Sequence, residues 1–304
     1  MEKQNPFFSI VIPTYNRPKQ LAKCLKSLSH LDYPRDRFEV IVVDDGSPII
    51  PEGVVADFRG QLNMTLLTQA RTGPAGARNT GVNIAKGDFL AFIDDDCEPA
   101  TDWLRNLSGL FLLASDRAIG GRTLNGLPNN LYSVTSQMII DVVYAHFNPD
   151  PNQASFFASN NLTIAADLFR DIGGFDATFT TSEDRDFCDR WLQHSFKMIY
   201  APEVVLYHFH ELKLGTFWRQ HFNYGRGAYR FHRARAQRGA GHFRPDLKFY
   251  GHLFCYPIVR ERRPRALLIT VLLVISQVAN TLGFLFEGLN QSKGREVDRT
   301  YYTG

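Results

Sequence analysis

Hydrophobic residues fall into short unbroken runs through the first third of the chain, separated by stretches with helical spacing. Ser9–Thr14 (SIVIPT), Phe38–Asp44 (FEVIVVD), Met64–Thr68 and Phe89–Asp94 (FLAFID) are runs of strand length bounded by turn residues. Runs of this kind predict strands buried on both faces, as in a parallel sheet between helices. After Arg17-Pro18, where proline suits an early helical position, Leu21, Leu25 and Leu28 share one face. Val54–Phe58 predicts a short helix, Gly73–Lys86 a helix through Ala77, Val82 and Ala85, and Thr101–Ala114 a helix with Leu104, Leu107 and Phe111 inward. Strands alternating with helices at this pace predict an α/β fold, a mainly parallel sheet flanked by helices. Beyond about residue 120 the pattern loosens. Asn125–Asn130 is turn-rich, Ser155–Ile164 reads as a strand, Asp171–Asp176 as a turn and Glu183–His194 as a short helix. Lys197–Tyr200 and Val204–His210 read as two further strands.

The last part of the chain differs in kind. Lys213–Arg265 holds 13 Lys/Arg against two Asp/Glu, in a chain whose net charge is only +3. Such local asymmetry predicts an anionic surface or partner for that segment. Ala266–Phe286 follows, 21 residues without a charge, long enough to cross a bilayer. Thr270, Ser276, Gln277, Asn280 and Thr281 fall largely along one helical stripe of it. Three readings stay open: a span, a helix lying in the interface, and a buried helix of a soluble domain. Arg260–Arg265 before it would stay cytoplasmic under the positive-inside tendency. The arginine and aromatic mixture of Phe217–Arg235 comes with no nucleic-acid-binding module, so it reads as a membrane-surface contact or a solvated basic helix. The chain therefore divides into an α/β domain over residues 1–212 and a helical extension over 213–304, with 266–286 membrane-associating. Met1–Pro6 is polar and leads straight into the first strand, so no signal peptide is expected. Cys24, Cys97, Cys188 and Cys255 lie far apart without CxxC spacing, which suits a reducing compartment and no structural zinc.

Two acidic clusters carry the chemistry. Asp44-Asp45 and Asp94-Asp95-Asp96 each close a hydrophobic run. Carboxylates at the carboxyl ends of such strands sit where open α/β sheets bind ligands. Three consecutive acids need a compensating positive charge, and a divalent cation carrying a phosphorylated ligand supplies one. In an extended segment Asp94 and Asp96 converge while Asp95 points away. The same periodicity puts His208 and His210 on one face of a terminal strand. Walker and dinucleotide fingerprints are absent: Gly73–Gly76 has no following Lys-Ser/Thr, and Gly225-Arg226-Gly227 follows no strand.

Taken in order, SIVIPTYNR (Ser9–Arg17), VVDDGS (Val42–Ser47), GARNTG (Gly76–Gly81), FIDDD (Phe92–Asp96) with Trp103, and GGFDATFTTSED (Gly173–Asp184) resemble the family 2 glycosyltransferases over roughly residues 8–210. The resemblance implies the GT-A fold, a Rossmann-like sheet binding nucleotide sugars. It implies that Pro13, Thr14, Asp44, Asp45, Arg78, Asp94 and Asp95 line the nucleotide-sugar site. Asp45 would contact a uracil-type base, unless it only caps the Gly46-Ser47 turn. Arg78 would face the diphosphate or base, or else lie solvated on its helix. Asp96 would ligate Mg2+ or Mn2+, Asp94 would hold the ribose or a water on the cation, and His208 or His210 would add an imidazole. Glu183 and Asp184 match the catalytic acidic pair, with Asp184 the general base of an inverting transfer. A helix start weakens such a base, so partial burial must raise its pKa again. The implied function is metal-dependent transfer of a sugar from a nucleoside-diphosphate donor, UDP-type favoured, to a glycan or lipid-linked acceptor at the cytoplasmic membrane face. The alternatives are a silent glycan- or lipid-binding module on the same fold and a nucleotidyltransferase. A nucleotidyltransferase would normally show a glycine-rich phosphate loop near the first strand.

Overall fold

A computed structural model describes residues 5–241 and 246–292. The first four residues of the polar leader, Arg244 of the basic stretch, and 293–304 of the extension lie outside them. The chain divides into two compact units, one of Met1–Thr178 with Glu183–Glu211 and one of Phe179–Ser182 with Leu212–Gly304.

The first unit is built on one eight-stranded sheet in the order β3-β2-β1-β4-β7-β6-β8-β5. Its strands are β1 (Phe8–Thr14), β2 (Phe38–Asp44), β3 (Met64–Thr68), β4 (Phe89–Phe92), β5 (Cys97–Pro99), β6 (Arg117–Asn125), β7 (Leu162–Ala165) and β8 (Lys197–His208). Its helices are α1 (Pro18–Leu28), α2 (Glu52–Ala56), α3 (Pro74–Ile84), α4 (Trp103–Leu113), α5 (Leu131–Phe147), α6 (Ala166–Asp171) and α7 (Glu183–Gln193). β1 to β4 pair in parallel as the hydrophobic runs predict; β7 joins β4 antiparallel, and the later strands mix both senses.

Strand periodicity explains the layering. Phe8, Ile10 and Ile12 of β1 and Phe38, Val40 and Val42 of β2 face one core with Leu21, Leu25, Trp103 and Leu104. The intervening Val11 joins a second core with Phe92, Phe169, Phe187 and Trp191, while Ile41 and Val43 pack beside Ala77. Each strand thus buries both faces. α3 lies close on β1 and β2 because Gly81 has no side chain; a Cβ there would sit 2.6 Å from Val11 Cγ1. On the far side, buried Asn161 accepts from Trp103 Nε1 (3.0 Å) and donates to the Val204 carbonyl (3.1 Å), fastening α4 to β8.

Several expectations in the looser half change. Ser155–Ile164 is not one strand: only Leu162–Ala165 pairs, after a 3-10 turn at Ser159–Asn161. Asn148 explains this, since its side chain accepts from Ser155 N and Phe156 N and donates to the Phe156 carbonyl, taking up that backbone. Lys197–Tyr200 and Val204–His210 form a single strand, with a register shift opposite Gly121/Arg122 and an end at His208. The periodicity of α5 was masked by its Val, Ile, Thr and Tyr content. Asn130 starts that helix by accepting from Tyr132 N and Ser133 N.

The second unit contains α8 (Leu214–Gln237), α9 (Leu247–Arg260) and α10 (Arg263–Ser292). α8 and α10 run side by side in the same direction. Gly225 touches the Asn280 backbone, Tyr229 meets Phe284 edge-on at 5.2 Å, and Arg230 pairs with Glu287 at 2.6 Å. A Cβ on Gly225 would lie 1.8 Å from the Asn280 carbonyl oxygen, so the crossing requires glycine there. Two of the five polar residues foreseen as a stripe bond back to their own helix: Thr270 Oγ1 donates to Ala266 O and Ser276 Oγ to Leu273 O, with Ser276 fully buried.

Candidate active site

Register brings the acids to one sheet edge. Thr14 lies opposite Asp44 where β1 and β2 end, and Val11 opposite Phe92 where β4 ends. Asp44, Asp45 and the Asp94–Asp96 triplet therefore leave the sheet side by side.

Asp44 and Asp45 act differently from each other. Asp44, not Asp45, caps the following turn, accepting from Ser47 N (3.2 Å) and from the Ser47 hydroxyl. Asp45 reaches across to the loop before α3. Its Oδ1 accepts from Thr72 N and Gln69 Nε2, each at 2.8 Å, and its Oδ2 accepts from Gly73 N at 2.8 Å. A carboxylate offers about four lone-pair sites, so Oδ2 keeps acceptor capacity. In the same loop Arg71 stacks over the Tyr15 ring at 3.8 Å.

The triplet departs from the sequence expectation. Asp95 does not point away from Asp96: both bind Arg17 Nη1, at 3.2 and 3.1 Å, and Asp95 also accepts from Thr14 Oγ1 at 2.7 Å. Asp94 turns instead to Arg78 Nη2, 2.6 Å away. The reason is local geometry. β4 stops at Phe92 and Asp95-Asp96 form a turn, so strand alternation no longer applies. Pro13 is buried next to Thr14, the last residue of β1.

Arg78 is not a solvated helix residue. It is buried in α3, with Nη1 2.9 Å from Glu183 Oε1 and Nη2 on Asp94, and its Nε has no acceptor among the described residues. One guanidinium thus joins the triplet to the acidic pair at the start of α7. Next to Glu183, Asp184 is partly buried and accepts from Arg185 N at 2.8 Å. Burial, reinforced by the Glu183 charge, pushes Asp184 up to about 7. Desolvation outweighs the helix terminus here.

At the other side of the triplet, His208 Nε2 lies 3.2 Å from Asp96 Oδ1. Burial disfavours both charged forms, but their mutual attraction prevails: Asp96 is held well below the usual carboxylate range, and His208 is raised. Asp95, by contrast, is pushed up to about 7 by burial, against the pull of Arg17. His210 lies beyond the strand end, yet its ring centroid is 5.1 Å from that of His208. Burial and the His208 charge lower His210 to about 4.

A divalent cation fits this donor set. One ligand atom from each of Asp96, Cys97 and His208 lies within 4.8 Å of the others. The ionised Asp96 oxygens and the imidazole suit Mg2+ or Mn2+, the imidazole favouring Mn2+. Arg17, given no role in the sequence analysis, occupies one Asp96 oxygen and so belongs to the candidate site. Its signal was present, as the residue closing IPTYNR at the end of the first strand.

Comparison with known proteins agrees with this architecture. The family model "Glycosyl transferase family 2" matches residues 9–178. The chain is 27% identical over 225 residues to the glycosyltransferase AglE of Haloferax volcanii, covering 73% of each protein. It is 25% identical over 232 residues to a Methanococcus voltae dolichyl N-acetyl-alpha-D-glucosaminyl phosphate 3-beta-D-2,3-diacetamido-2,3-dideoxy-beta-D-glucuronosyltransferase, covering 72% of each. Among solved structures, the mannosyltransferase PcManGT from Pyrobaculum calidifontis, in complex with GDP-Man and Mn2+, superposes with a TM-score of 0.65 over 97% of this chain and 89% of that one. At 19% identity that similarity speaks to the fold.

Proposed function

The chain belongs to glycosyltransferase family 2 and is a glycosyltransferase with a GT-A fold; from that premise we propose that it transfers a sugar, with inversion, from a nucleoside-diphosphate donor to a glycan or lipid-linked acceptor. The observation that carries this reading is the buried Arg78 bridge, which ties the donor-side acid Asp94 to Glu183 beside the candidate base Asp184.

Asp184 acts as the general base. Its carboxylate takes the proton of the acceptor hydroxyl while that oxygen bonds to the anomeric carbon and the bond to the diphosphate breaks. A base whose pKa lies near ambient pH is well placed for this, and about 7 meets the requirement. Glu183, held by Arg78, fixes the start of α7 and hence the position of Asp184. Asp96 and His208 would hold Mg2+ or Mn2+, which when bound neutralises charge on the departing nucleoside diphosphate. Asp45 Oδ2 and the Tyr15–Arg71 stack receive the base, a uracil-type ring donating its imide N–H to the carboxylate. Asp94 and Asp95 shape the ribose and diphosphate region with Pro13 and Thr14. The apolar helix of the second unit, Arg263–Gln291, supports association with the cytoplasmic face of a membrane. The Methanococcus relative, named for its action on a dolichyl-linked sugar phosphate, supports lipid-linked acceptors.

Thermal shift of the purified chain against a panel of UDP-, GDP- and other nucleotide sugars, with and without Mn2+, tests the reading. A donor at a hundred times its dissociation constant adds about 2.7 kcal/mol of stability. Stabilisation by one donor, followed by its turnover, is expected. No response to any nucleotide sugar, with or without Mn2+, would overturn this reading.

A further inference from the structure

α10 is apolar on two opposite faces. Ile269, Leu273, Ser276 and Ala279 are fully buried along one. Along the other, Leu267, Val271, Val274, Val278, Leu285 and Leu289 are 47–67% exposed, an apolar row running the length of the helix. A helix that is hydrophobic all round needs cover on every side. What covers the outer row is constrained by α8. The two helices run parallel, with Gly225 beside Asn280, Tyr229 beside Phe284 and Arg230 on Glu287. By that register the exposed Arg219 lies level with Val274, near the middle of the uncharged span, and Arg226 also falls within it. If α10 crossed a bilayer, both arginines would be carried into the hydrocarbon, Arg219 at mid-depth. Intramembrane charges persist only when paired inside a bundle or reaching water. Arg226 has Glu287, but Arg219 lies on the surface of the unit.

The end of the outer row shows which surface it meets. Arg260, Arg262 and Arg263 are exposed around the α9–α10 turn, next to exposed Ile258 and Val259. Arginines beside protruding aliphatic side chains complement lipid phosphates above an acyl layer. We infer that the second unit is monotopic: α10 lies in the plane of a single leaflet, its Leu267–Leu289 row in the acyl region and the Arg260–Arg263 turn on anionic headgroups. This rests on the membrane reading above and decides between its crossing and in-plane forms.

Depth measurements test it on the full-length protein. With Cys255, the exposed cysteine, changed to serine, single cysteines replace Val271, Val278 or Leu285 and carry an environment-sensitive fluorophore; Cys24, Cys97 and Cys188 are buried. The probe is vesicles of phosphatidylglycerol and phosphatidylcholine whose acyl chains are brominated at shallow or deep positions. All three labels should shift to the blue and be quenched best by the same shallow bromines. Deepest quenching at position 278, with 271 and 285 shallower, is the signature of a crossing helix and would overturn the inference. Absence of vesicle binding would instead remove the membrane reading itself, and blue-shifted labels in a lipid-free dimer would assign the row to a second copy. As a second variant, Val271→Glu on the outer face should lower vesicle partitioning about tenfold or more by withdrawing one aliphatic side chain from lipid. Unchanged partitioning, with α10 intact by circular dichroism, would also refute the in-plane placement.

Discussion

Replacing Arg78 by methionine isolates the bridge between the two acidic groups. Methionine keeps the volume and apolar stem but removes both donors. Asp94 and Glu183 then lose a guanidinium held at 2.6 and 2.9 Å. Breaking a buried ion pair from one side costs about 3–5 kcal/mol, because the remaining charge is stranded. The Arg78 and Glu183 side chains are 3% and 9% exposed, so their pair bears the full penalty. Asp94 is 31% exposed and regains water, so its share is smaller. The loss should therefore fall near the lower bound, about 3 kcal/mol. At about 2–4 °C per kcal/mol for a domain of this size, the melting temperature should drop by about 6–12 °C. Melting is to be followed without donor or metal, so that ligand linkage does not enter. Arg78→Lys should fall between, since one ammonium lacks the fork that reaches both acids. The decisive measurement is a double-mutant cycle with Glu183→Gln. Neutralising the stranded acid should recover part of the loss, giving a clear coupling energy. Additivity within about 0.5 kcal/mol would refute the bridge as the source of the effect.

The other expectations are briefer. Asp184→Asn should lower turnover about 10²–10⁴-fold with donor affinity retained, and a variant that loses donor binding but keeps its maximal rate would place Asp184 elsewhere. As the base, Asp184 must be ionised, so kcat/KM should rise with pH through about 7; an acid limb near 4 would contradict the raised pKa. Its folded value lies above the ordinary 3.8, so the native state binds the extra proton between those pH values. Through that window this residue's contribution to stability decreases as pH rises, and Asp184→Asn should flatten the slope. Asp96→Asn should abolish Mn2+-dependent stabilisation and transfer together, and full wild-type activity in excess chelator would sink the metal assignment. Gly225→Val should loosen the α8–α10 crossing, because its Cβ alone would meet the Asn280 carbonyl at 1.8 Å. An unchanged melting temperature would mean that this crossing carries no stability.

How much was legible in the sequence depended on how local each cause was. Phe8–Thr14, Phe38–Asp44 and Phe89–Phe92 announced themselves because strands buried on both faces read as near-continuous apolar runs, the buried Ser9 and Glu39 being hydrogen-bonded to each other. The acids at their ends were visible for the same reason. Where each acid would turn was not visible, since Asp94, Asp95 and Asp96 are sorted by Arg78 and Arg17, residues 16 and 78 positions away or more. Alternation was the wrong guide once the strand had ended. The strand expected at Ser155–Ile164 failed similarly, because Asn148 captures that backbone with its side chain. α10 was recognised as an apolar helix with a polar side, but that the Thr270 and Ser276 hydroxyls donate to carbonyls of the same helix was not legible.

The charge balance of the site then separates the two arginines. Among the described residues, Asp94, Asp95, Asp96, Glu183 and Asp184 pair with Arg17 and Arg78, Arg185 acts on Asp184 through its charge, and His208 adds a further cation when protonated. Even with Asp95 and Asp184 partly protonated near pH 7, the cluster holds no surplus of positive charge for a diphosphate. Arg78 cannot supply one, being buried and engaged at both ends. Arg17 can. It is 46% exposed and touches Asp95 and Asp96 through a single nitrogen, Nη1. On the proposed reading, Asp96 would give its charge to a bound cation, and the Arg17 guanidinium would then be available to the incoming phosphates. Cation and donor should then strengthen each other's binding by the same factor, as linkage requires. Arg17→Ala should shrink that common factor, and an unchanged factor would mark Arg17 as purely structural.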